Sequence, residues 1–102
     1  MKNMEDPFSA FLSQRPEIAD IVTSKKHIEV LEYLKKNATT IEEICHAFGM
    51  TASQADEILE RLVRDKLVEI IKIKENILYK ISMVGEEFLS LYHEFRKGYS
   101  LE

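Results

Sequence analysis

Two apolar stripes of identical helical spacing, separated only by Gly49-Met50-Thr51, constrain this 102-residue chain more than any other feature. Ile41, Ile44, Cys45 and Phe48 fall at i, i+3, i+4 and i+7. Ala55, Ile58, Leu59 and Leu62 repeat the pattern, and Val63 widens it. Thr40 with Glu43 three residues on has the form of a capping box, Gly49 is a natural stop, and Thr51 can cap the second helix. Two short helices joined by a glycine-containing turn, with matching inward stripes, read as a helix-turn-helix pair.

The flanks extend this pair into an ordered series. Asp6-Pro7 predicts a helix start, with Phe8, Phe11 and Leu12 one turn apart. Pro16 opens a second short helical stretch carrying Ile18, Ile21 and Val22. Thr23-Ser24 is the next cap, followed by a helix to Asn37 that gathers Ile28, Leu31 and Leu34 on one face. After Val68 the period changes. Ile71-Lys72-Ile73-Lys74 alternates strictly, which puts Ile71 and Ile73 toward the core and Lys72 and Lys74 outward. Glu75-Asn76 reads as the turn, and Ile77 to Ile81 as the return strand. Ser82 caps a last helix with Val84, Phe88, Leu91, Tyr92 and Phe95 on its stripe, and Gly98 is the expected end.

Composition excludes several classes. No run of about 18 apolar residues exists, so no membrane-spanning helix is expected. Met1 to Pro7 is polar and partly acidic with no apolar segment behind it, so a cytoplasmic address is expected. One cysteine cannot build a disulfide framework or a cysteine-rich zinc site. Cys45 and His46 are adjacent, which is not a chelating helical spacing; Cys45 reads as a buried, inert thiol. No nucleophile–base pair, phosphate loop or paired-carboxylate pattern appears. Neither an enzyme, nor a metal site, nor a cofactor is expected. Fourteen Lys and Arg against eighteen Asp and Glu give a net charge of −4, unusual for a nucleic-acid binder. Of the stretches 1–23, 24–50, 51–67, 68–81 and 82–102, only 68–81 is net positive, with Lys72, Lys74 and Lys80 against Glu69 and Glu75.

Residues 25–89 resemble a winged helix-turn-helix domain of the kind found in MarR-like and ArsR-like bacterial and archaeal regulators. Three stretches carry the likeness: Thr40 to Thr51, Ile58 to Glu69, and Tyr79-Lys80-Ile81-Ser82-Met83-Val84-Gly85. The resemblance implies an α+β fold, mostly α: a three-helix core, a two-stranded wing hairpin and a C-terminal helix, here with a short helical N-terminal extension. It divides the chain into an extension at 1–23, a core at 24–82, a C-terminal helix at 83–98, and a tail or cloning scar at 99–102.

The resemblance also implies double-stranded DNA as partner, with the helix of residues 51–65 in the major groove. Thr51, Ser53 and Gln54 then face bases or phosphates, and Gln54 can pair with adenine. Thr51 has the alternative of capping alone. Lys25, Lys26, Arg61, Lys72, Lys74 and Lys80 are the candidate phosphate contacts, the wing lysines forming one positive ridge. Asp56, Glu57 and Glu60 depart from the pattern; they either stay solvated or accept from cytosine. Lys66 stands where relatives usually carry glycine. Phe8, Phe11, Phe88, Leu91, Tyr92 and Phe95 are the candidate dimerisation residues, since relatives dimerise through terminal helices. The expected function is a small homodimeric repressor. The alternative is a winged-helix module that docks a protein instead of DNA.

Overall fold

A computed structural model describes residues 6–100, with side chains described through Lys97. Leu101 and Glu102 lie outside the described residues. The order is α1 (Pro7–Gln14), a 3-10 helix (Pro16–Thr23), α2 (Lys25–Lys36), α3 (Ile41–Phe48), α4 (Ala52–Arg64), β1 (Val68–Ile73), β2 (Asn76–Ile81) and α5 (Met83–Ser100). This is the mostly helical architecture with one antiparallel hairpin that the sequence implies.

The caps explain the boundaries. Asp6 accepts from the Ser9 amide at 2.8 Å and Pro7 opens α1. Thr40 accepts from the Glu43 amide at 3.2 Å. Gly49 ends α3 at φ 63°, a left-handed conformation that costs a glycine nothing. The apolar stripes of α2, α3 and α4 meet in one core: Ile28, Leu31, Leu34, Ile44, Ala55, Leu59 and Leu62 are buried. Cys45 is half-buried against that core, more open than its stripe position predicts.

The N-terminal segment is part of the same core. Ile18 and Ile21 of the 3-10 helix are fully covered. Phe8 packs on Phe88, Tyr92 and Phe95 of α5 with ring centroids 5.2–6.1 Å apart, and Phe11 lies 6.2 Å from Phe88. Four expected dimerisation residues are thereby corrected. Phe8, Phe11, Phe88 and Tyr92 are buried within one chain, because α1 folds back onto α5. Leu91 and Phe95 remain half-buried. α5 also runs through Gly98 to Ser100 instead of stopping there.

In the hairpin Val68 pairs with Ile81, Ile70 with Tyr79, Lys72 with Ile77, and Ile73 with Asn76. The turn is Lys74-Glu75, one residue earlier than expected, with Lys74 at φ 57°. The expected phase does not hold along β1. Val68 and Ile81 are buried at the base of the hairpin, but Ile70 on their face is exposed, more open than Ile71 on the other. Ile73 is half exposed and Ile71 only half-buried. A bridge between Thr39 and Tyr79 ties β2 to the turn before α3.

Candidate nucleic-acid interface

The N-terminal turn of α4 is open to solvent: Thr51, Ala52, Ser53 and Gln54 are all exposed. Thr51 and Gln54 form a reciprocal capping box. The Thr51 hydroxyl accepts from the Gln54 amide at 3.1 Å, and the Gln54 Oε1 accepts from the Thr51 amide at 3.0 Å. The start of α2 lies alongside. Lys25 and Lys26 are exposed, and Lys26 shares a shallow cleft of about 300 Å³ with Gln54, Glu57 and Ile58.

Further along α4 the surface turns acidic. Asp56, Glu57 and Glu60 are exposed. Asp56, Glu60, Val63 and Arg64 form one wall of a groove of about 440 Å³, and Ile70 and Tyr79 of the hairpin form the other. Burial pushes the Tyr79 phenol up, and the carboxylates of Asp56 and Glu42 add to this. Arg64 is a basic residue on the outer side of α4, as its place in the sequence implies, whereas Ile70 and Tyr79 join it in the groove although the sequence marks Tyr79 only as part of the exit from the wing, a signal of fold.

The structure separates the wing lysines. Lys72 lies on the face shared with Ile70, Ile77 and Tyr79, while Lys80 pairs with Glu69 on the opposite face. Lys74 sits in the turn. The single ridge is therefore corrected to three separate positions, since cross-strand partners share a face and neighbours along a strand do not. Three isoleucines, Ile70, Ile73 and Ile77, are each about half exposed around these lysines.

Arg61 points inward. Its Nε donates to Asp65 Oδ2 at 2.8 Å, its Nη2 donates to the Glu17 carbonyl at 3.1 Å, and Nη2 lies 3.8 Å from Asp20 Oδ2. The Arg61–Asp65 pair has the i, i+4 spacing of a helical ion pair. Beside it, His27 is half-buried, with Nδ1 bonded to the Ser24 hydroxyl. Burial holds the His27 pKa below its ordinary value, and the Arg61 guanidinium lowers it further.

No protein-family model and no curated protein sequence matches the chain. Solved structures do. The homodimeric winged helix-turn-helix DNA-binding domain of a possible ArsR-family transcriptional regulator from Mycobacterium bovis is 23% identical, with a TM-score of 0.71 over 98% of this chain and 91% of that one. A mutant MepR of S. aureus bound to an oligodeoxyribonucleotide is 15% identical, with a TM-score of 0.70 over 91% and 73%. HlyU from Vibrio cholerae is 19% identical, with a TM-score of 0.69 over 94% and 99%. The chain has the winged-helix fold of these transcriptional regulators. No helix of the described residues is long and apolar enough to cross a membrane.

Proposed function

We propose that this chain is a DNA-binding transcriptional regulator that acts as a homodimeric repressor. The observation that carries the reading is local. Lys26 stands beside Gln54 at the exposed start of α4, so a cation and a base-reading amide are offered to one ligand surface. In this reading Thr51, Ser53 and Gln54 meet the major groove, and Lys25, Lys26 and Lys72 neutralise phosphates. Lys74, in the turn, is a secondary contact, and Lys80, on the opposite face of the hairpin, makes none. The function needs no catalysis and no cofactor.

A dimer is supported by shape. The radius of gyration is 14.8 Å, against about 12.8 Å for a compact chain of this length. Leu91 and Phe95 line a cleft of about 400 Å³ with Pro7 and Phe8, and a second α5 would cover it. Leu91→Asp should give a monomer in sedimentation equilibrium; an unchanged mass would remove this face from the dimer.

A second reading rests on the acidic stretch Asp56, Glu57 and Glu60 beside the exposed Ile70 and Ile77, a combination suited to a protein surface. One titration separates the two. Fluorescence anisotropy with mixed-sequence duplex DNA, from about 50 to 200 mM salt, should show binding that weakens steeply with salt. No binding at the lowest salt would reject the DNA reading and leave the protein-docking one.

A further inference from the structure

We infer that Arg61 is a positioning residue that fastens the N-terminal segment to the reading helix. The phosphate-contact role drawn for it from the sequence is replaced. The segment from Pro7 to Thr23 touches both ends of the molecule's functional surface. At one end Phe8 and Phe11 of α1 pack into the rings of Phe88, Tyr92 and Phe95 on α5. At the other, the 3-10 helix is held to α4 by the Arg61 guanidinium through the Glu17 carbonyl at 3.1 Å and the Asp20 carboxylate at 3.8 Å. Interleaved with this second grip, Ile18 and Ile21 are buried in the core.

The chemistry of the fastening requires arginine. Its planar fork sends Nε to Asp65 within α4 and Nη2 to the 3-10 helix at the same time. Asp65 is the only buried carboxylate among the described residues, with a side chain 5% exposed. If Arg61 turned out to meet a phosphate, that carboxylate would be left without its cation in a desolvated place. Swinging the side chain out toward a duplex would break the Nε bond to Asp65 and the Nη2 bond to Glu17 together. The last turn of α4 is therefore seated by the segment that grips α5, and a change at the α5 end reaches α4 through it.

Hydrogen exchange on the full chain tests this without DNA, and a DNA titration adds a readout that rests on the proposed DNA binding. Arg61→Lys keeps a cation beside Asp65, so the fold is retained, but it loses the fork. Amide exchange over residues 17–23 and 61–65 should rise about tenfold, as expected for losing a hydrogen bond from a charged donor, while α3 and the hairpin stay as they were. Phe8→Leu, at the far grip, should raise exchange in residues 61–65 as well. In the DNA titration, Arg61→Lys and Arg61→Met should weaken binding several-fold with the salt slope unchanged. Unchanged exchange in Arg61→Lys would overturn the inference. So would a slope reduced by about 0.9 in Arg61→Met, the mark of a lost phosphate contact. If wild-type protein binds no DNA at all, the DNA reading fails and the exchange data still decide the role of Arg61.

Discussion

Gln54 and Thr51 hold each other across the first turn of α4: each side chain accepts the other's backbone amide, at 3.0 and 3.1 Å. The bond that caps the helix uses the Gln54 Oε1, the same oxygen a two-bond pair to adenine requires. With the box closed, one lone pair of that oxygen is committed to the Thr51 amide, while the amide nitrogen can still donate to a base edge. Substitution separates the two roles. Gln54→Glu keeps an oxygen for the Thr51 amide and adds charge where the helix dipole welcomes it, but removes the donor. Its melting temperature should equal or exceed that of the wild type. Its sequence preference should fall by about 1–3 kcal/mol at one base pair, read by binding to a panel of single-base operator variants. Gln54→Ala should lose that preference and also about 0.5–1 kcal/mol of stability. Wild-type preference in Gln54→Glu would make Gln54 a cap and nothing more.

The hairpin register sets a second expectation. Lys72 and Lys80 lie on opposite faces, and Lys72 shares its face with Ile70 and Tyr79, which look into the groove beside α4. A duplex seated against α4 meets Lys72 and not Lys80. Lys72→Ala should therefore lower the salt slope of binding by about 0.9, and Lys80→Ala should leave it unaltered. The reverse order would place the duplex on the other side of the wing.

These positions mark where the sequence was readable and where it was not. The caps at Thr40, Gly49 and Thr51 were legible because capping is local chemistry, decided within four residues. The strand phase was not. Ile70 and Ile71 are adjacent, so alternation alone fits either phase, and only the burial of Val68 and Ile81 at the base of the hairpin selects one. The same limit explains Phe8, Phe11, Phe88 and Tyr92. An apolar stripe shows that a helix face is covered, and here the cover is α1 of the same chain. The sequence alone also leaves Arg61 on an outward-looking position of α4, and only the 3-10 helix lying beside that position gives its guanidinium partners within the chain.

The end of α4 carries strain that a substitution can remove. The Leu67 amide donates to the Leu62 carbonyl at 2.9 Å and the Lys66 amide to Val63 at 3.0 Å, the two bonds of a Schellman motif. Lys66 is the left-handed residue of that motif, at φ 68°. Its departure from glycine thus left the turn unchanged. Lys66→Gly should stabilise the protein by about 0.5–1 kcal/mol in urea titration. A loss of stability would mean that the lysine makes a compensating interaction.

Gly85 is the opposite case, a glycine kept by space. It is buried in the first turn of α5, where its amide donates to the Ser82 hydroxyl at 3.0 Å. A Cβ there would lie 2.2 Å from the Leu67 carbonyl oxygen and 2.7 Å from Ile81 Cγ1. Backbone just before the hairpin and a buried side chain at its end are in the way, and the Leu67 carbonyl cannot yield cheaply. Gly85→Ala should cost about 1–3 kcal/mol and release the base of the wing, seen as faster amide exchange at Val68 and Ile81. An alanine variant as stable as the wild type would show that α5 can tilt away freely.

His27 supplies the pH dependence. Burial, then the Arg61 guanidinium, depresses its pKa in the fold below the ordinary value of 6.5, so the folded state favours the neutral ring. As pH falls through 6.5 the unfolded chain takes up this proton first. Proton binding then favours unfolding, and stability declines until the lower folded pKa is reached, below which the contribution is constant. Above 6.5 both states hold the ring neutral and the contribution vanishes. The free energy of unfolding, measured in urea at pH 8, 6.5 and 5, should fall more steeply toward pH 5 in the wild type than in His27→Gln. Arg61→Met removes one of the two causes named here and should flatten the wild-type decline in part. Parallel curves for wild type and His27→Gln would show that the ring gains no protection from protonation where it sits between Ser24 and Arg61.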